Sequence, residues 1–127
     1  RCQLLVATDS GPVALAGASD IGIVALYTIV PGDRRIAYRH GKLGWNALCI
    51  NLKCHYGHCM SLSMDVQFCR KVLHSNIQMR RLNDWCPLGD VDGEQARYAC
   101  ITRYPAERLF KEITTFIGSP AFIRQGG

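Results

Sequence analysis

Two continuous apolar runs, "LLVA" at residues 4–7 and "IGIVALY" at 21–27, stand only a short helix apart, and that spacing constrains the chain more than any other feature. Unbroken apolar residues, rather than an alternation, suit strands buried on both faces of a parallel sheet. Between the runs lies "TDSGPVALAG" at 8–17. Ser10 stands where a helix N-cap belongs, Pro12 falls in the first turn, and residues 11–18 are rich in Ala and Gly. Residues 2–27 therefore predict a right-handed βαβ unit. Asp9 falls at the carboxyl end of its first strand, the end at which open α/β sheets bind their ligands.

The rest of the chain gives a coarser map. At 127 residues it is one domain's worth, long enough to bury roughly two-thirds of its unfolded surface. The segment 28–46 carries the breakers Pro31, Gly32, Gly41 and Gly44, which predict a long loop at the carboxyl end of the second strand. "ALCINL" at 47–52 reads as a third strand. Residues 63–74 predict a helix with Ser63 as cap and Met64, Phe68 and Val72 as its apolar stripe. The stretch 83–93 is turn-rich. "PAERLFKEITTFI" at 105–117 predicts the clearest helix, with Leu109, Ile113, Phe116 and Ile117 on one face and Gly118 as its stop. Residues 119–127 read as a loosely held tail. The fold class is α/β, with one domain over 1–118 and an irregular cysteine-rich insertion at about 53–100.

At the Asp9 turn, N–H groups of residues 11–13, less the one Pro12 lacks, would be open donors favouring an anion such as a diphosphate. Gly11 permits close approach and the Ser10 hydroxyl adds a hydrogen-bonding group. Asp9 suits a sugar hydroxyl or loop N–H groups better than a phosphate. The bland alternative is a helix cap with no ligand. The loop from Thr28 to Lys42 adds Asp33, Arg34, Arg35, Arg39 and His40, either as a solvated charged loop or as a source of a guanidinium for a phosphate. The formal charge of +5 is compatible with an anionic ligand. It is spread without the basic stripe and interleaved aromatics that nucleic-acid binding asks for, so no nucleic-acid partner is expected. No run approaches a membrane span and the first residues lack a signal-peptide layout, which gives the expectation of a cytoplasmic protein.

The chain has seven cysteines, an odd number that cannot pair completely within it. "KCHYGHC" sets Cys54 and Cys59 with four residues between them, beside His55 and His58. With Cys86 and Cys100 these could hold a structural zinc or iron, tying irregular segments together. Disulfides and buried thiols are the alternatives, and a Cys59–His catalytic pair is disfavoured for want of an orienting group. Cys2, Cys49 and Cys69 fall in strand or helix patterns and are expected in the core.

"TDSGPVALAG", then "IGIVALY", a Pro- and Arg-containing loop, a cysteine-containing segment and finally "YACITRYPAERLFKEI" resemble, in that order, the C-terminal half of the heptosyltransferase-like glycosyltransferases of family 9. The resemblance implies a Rossmann-like sheet, the nucleotide-sugar-binding half of a GT-B glycosyltransferase that transfers a sugar such as a heptose. It implies donor contacts at Asp9, Ser10, Gly11, Thr28 and Arg34, and an acceptor-binding N-terminal half that this chain does not contain. It also implies a cysteine metal finger in some branches. Two positions depart from the pattern: Ala14 stands where the family has His, and Thr28 where it often has Gly. Those departures fit either a divergent branch or a copy without turnover, a non-catalytic metal-stabilised nucleotide-binding or interaction module.

Overall fold

The computed structural model describes residues 1–28, 30–52, 93, 95 and 98–126. The helix expected at 63–74, the turn-rich stretch up to residue 92, and most of the cysteine-rich insertion lie outside the described residues. The βαβ unit is present as a parallel pair: β1 (Leu4–Thr8), α1 (Gly11–Ala16) and β2 (Gly22–Tyr27). Leu4 to Thr8 pair in register with Gly22 to Leu26. The third strand, β5 (Ala47–Asn51), lies parallel on the other side of β2 and gives the order β1–β2–β5. Central placement explains why β2 is apolar throughout: both of its faces are covered.

Alternate residues of β2 feed two separate cores. Ile23, Ala25 and Tyr27 pack with Val13 and Ala16 of α1 and with Ile36 of the following loop. Val24 and Leu26 point the other way, to Ile50, Leu52 and the helix α3 (Ala106–Ile117) through Leu109, Ile113 and Phe116. The result is a small parallel sheet with helices on both faces, an α/β layering. Pro105 precedes α3 with φ −69° and its carbonyl accepts the first helical N–H bonds, from Arg108 and Leu109, while Gly118 ends the helix. A short helix not anticipated from the sequence, α2 (Ala99–Thr102), leads into it.

Connecting β2 to β5 requires the chain to return from the carboxyl to the amino end of the sheet, because the two strands are parallel. The long loop expected at 28–46 makes that journey. It starts with one 3-10 turn at Gly32–Arg34 and ends in a small antiparallel ribbon, β3 (Tyr38–Arg39) and β4 (Lys42–Leu43). His40 and Gly41 both have positive φ, 48° and 74°, as a two-residue hairpin matching strand twist requires.

The tail is not loosely held. Phe122 packs edge-on against Phe116 with ring centroids 5.5 Å apart and belongs to the α3-side core. The buried Asn46 side chain donates to Ile123 O (2.8 Å) and accepts from Ile123 N (2.8 Å), and Gln3 brackets Gln125 the same way. Side-chain amides thus give the tail the pairing that a neighbouring strand's backbone would otherwise provide. Composition alone does not reveal this, since the partners lie 77 and 122 residues away.

Candidate functional site

The β1–β2 ladder runs one residue past Thr8, with Asp9 N–H donating to Leu26 O at 2.9 Å. That bond fixes Asp9 on the carboxyl rim of the sheet. Ser10 follows in extended conformation (φ −164°) at the N-cap position, but it caps with its backbone: its carbonyl accepts from Val13 N and Ala14 N. The Ser10 hydroxyl turns back and donates to Thr8 O at 2.8 Å. Of the two open donors expected at residues 11–13, Val13 N–H is therefore committed to Ser10 O, which leaves Gly11. Gly11 is exposed, and an added Cβ there would meet nothing within 4 Å.

Beyond the strand ends a cleft of about 310 Å³ is lined by Thr8, Asp9, Leu26, Thr28, Leu52 and Ile101. Asp9 and Thr28, two of the residues singled out from the sequence, share this cleft although they leave the sheet on different connections. Arg34 lies exposed in the 3-10 turn. The guanidinium that reaches Asp9 belongs to its neighbour: Arg35 Nε is 3.6 Å from Asp9 Oδ2. The sequence named Arg34 as the donor contact of this loop, whereas the ion pair to Asp9 is made by the adjacent Arg35.

Beneath the pair lies Tyr27, fully buried, with a hydroxyl that has no hydrogen-bond partner among the described residues. Burial, reinforced by Cys49 and Asp9 and opposed by Arg35, pushes its phenol up to about 12. The half-buried Cys49 thiol is likewise raised, first by burial and then by Asp33. Nothing in the sequence marked Tyr27 beyond its place as the aromatic that closes the second strand.

The remaining basic residues of the loop sit at the opposite end of the sheet. The Arg39 side chain is buried, and its guanidinium donates to the carbonyls of Ser19, Ile21 (3.0 Å), Trp45 (2.6 Å) and Asn46 (3.4 Å). Burial lowers its pKa, with Asp20 opposing. His40 bonds Asp20 at 2.7 Å beside Trp45. These two residues lock the amino end and cannot reach a ligand at Asp9.

Of the four candidate metal ligands, Cys54, Cys59 and Cys86 lie outside the described residues, as do His55 and His58. Cys100 is half-buried in α2. Among the described residues no three His, Cys, Asp or Glu side chains gather as a metal centre would require. Cys2, expected in the core, is exposed, because β1 begins two residues later; its thiol donates to Leu4 O. Cys69 lies outside the described residues. Among the described residues no helix is long and apolar enough to cross a membrane. Comparison with known protein families, curated proteins and solved structures finds no match to this chain.

Proposed function

We propose that this chain is the donor-binding half of a nucleotide-sugar glycosyltransferase of the GT-B, heptosyltransferase-like kind, with a Rossmann-like sheet holding the nucleoside diphosphate at its carboxyl rim. The observation that carries this reading is the cleft in which Asp9 and Thr28 meet beyond the ends of two parallel strands. In such chemistry the anomeric carbon gains oxocarbenium character as the diphosphate departs, so the protein must set positive groups against the leaving oxygens. Gly11 N–H and the arginines of the 3-10 turn are the groups available on this rim. Among the described residues Asp9 is paired only through Oδ2, with Arg35, which offers its other oxygen to a sugar hydroxyl. The acceptor site and the general base would come from a second half, so the chain by itself binds weakly, at about millimolar affinity, and does not turn over.

Chemical-shift mapping with ADP, GDP and UDP tests the reading. The expected result is a saturable set of shifts at residues 9–14, Thr28 and the 3-10 turn for at least one nucleotide, weakened by Gly11→Val. No saturable shift there with any of the three, even with an N-terminal half supplied, would reject it. Ala14, exposed at the position where the resembled family has His, favours a second reading in which the site binds a nucleotide without catalysis. Turnover by the reconstituted pair of halves separates the two.

A further inference from the structure

We infer that Arg35, and not Arg34, is the residue that grips the diphosphate, and that Asp9 is the counter-ion it leaves to do so. The inference rests on the donor-site reading above and assigns its charge recognition to one side chain. Arg35 faces Asp9 through Nε alone, at 3.6 Å. Its two terminal nitrogens have no acceptor among the described residues, none of which occupies the bidentate face of the guanidinium. That face is the one that matches two phosphate oxygens. The Arg35 and Asp9 side chains are 55% and 33% exposed, and a solvent-exposed pair held by one nitrogen at that distance is readily exchanged for a better anion.

The mount beneath Arg35 is rigid. Arg35 N and Ile36 N both donate to Gly32 O, at 3.0 and 2.8 Å, and Ile36 is buried in the α1-side core. Gly32 N in turn donates to Asn51 Oδ1 at the carboxyl end of β5, 2.8 Å away. Gly32 itself lies so close to the Tyr27 ring and to Cys49 that a Cβ there would sit 2.7 and 2.9 Å from them. Both strand ends thus position the turn, and a residue so placed loses little freedom when it binds. With Val13 N–H committed to Ser10 and Pro12 lacking one, the six-residue α1 offers a diphosphate little, and the side chain must supply what the helix does not.

Binding of inorganic pyrophosphate and of UDP, ADP and GDP to the chain and to Arg35→Ala, Arg35→Lys, Arg34→Ala and Asp9→Asn decides the matter, with thermal melts confirming that each variant is folded. Arg35→Ala is expected to lose about tenfold or more in affinity for pyrophosphate, with Arg35→Lys recovering only part because it lacks the fork. Arg34→Ala should stay within about twofold. Asp9→Asn should tighten pyrophosphate, since it removes both the resident counter-ion and a like charge. Equal losses in Arg34→Ala and Arg35→Ala, or weaker pyrophosphate binding by Asp9→Asn, would overturn the inference while leaving a nucleotide-binding rim in place. Pyrophosphate bound through Arg35 with no response to any nucleotide would leave the inference standing and sink the donor-site reading instead.

Discussion

Tyr27 shows how a single residue can couple the core to the rim. Its ring belongs to the α1-side core and supports Gly32, while its hydroxyl lies buried near Asp9, Cys49 and Arg35 with no partner among the described residues. The folded chain keeps the phenol proton up to about 12, whereas the unfolded chain releases it near the ordinary value of 10.0. Between those pH values the native state holds more protons than the unfolded one, so stability falls as pH rises. Tyr27→Phe removes that loss and also the cost of an unsatisfied buried hydroxyl, about 1–3 kcal/mol. The variant is expected to match or exceed the parent in urea midpoint at pH 8 and to exceed it by a wider margin at pH 11. A margin that does not change with pH would show that Tyr27 does not titrate in this window.

At the scale of elements, the tail and the central strand constrain each other. Gly22 opens β2 without a side chain because the Phe122 ring occupies the space, and a Cβ there would come within 2.5 Å of Phe122 Cε2. Phe122 in turn covers Phe116 of α3. Gly22→Ala should therefore destabilise by about 1–3 kcal/mol through overpacking, and Phe122→Ala by about 3 kcal/mol or more through the cavity it leaves. Because the clash needs both partners, the Gly22→Ala cost should largely vanish in a Phe122→Ala background. Urea denaturation of the four members of this cycle measures the coupling, and strict additivity would mean that the tail does not lie on β2.

Across the whole molecule the two ends of the sheet have divided their tasks. The amino end is closed by Arg39, Asn46 and the Gln3–Gln125 pair, which join three distant stretches of chain through backbone carbonyls. The carboxyl end keeps a cleft, an exchangeable ion pair and an exposed glycine. Arg39→Leu should consequently cost stability, about 3 kcal/mol or more because several buried carbonyls lose their donor. At temperatures where the variant stays folded, its affinity for pyrophosphate should equal that of the parent. Calorimetric binding paired with a thermal melt checks both halves, and a variant that is stable yet binds poorly would place Arg39 in the ligand path.

The βαβ unit, the third strand and α3 were legible in the sequence because each rests on local pattern: unbroken apolar runs for strands covered on both faces, an i, i+4 stripe for a helix covered on one. So was the position of Asp9, since strand direction alone puts that turn at the carboxyl rim of the sheet. What only the tertiary structure decided is every matter of long-range closure. The parallel pairing of β2 with β5 carries Arg39 and His40 away from the site their loop begins at, and the turn of one 3-10 helix gives Arg35 rather than Arg34 to Asp9. The buried Asn46 captures a tail that, read by composition, has no reason to be ordered. Local pattern reports which face of an element is apolar; it carries no term for where the chain must return, and that return set which charged residues lock the fold and which lie exposed at its rim.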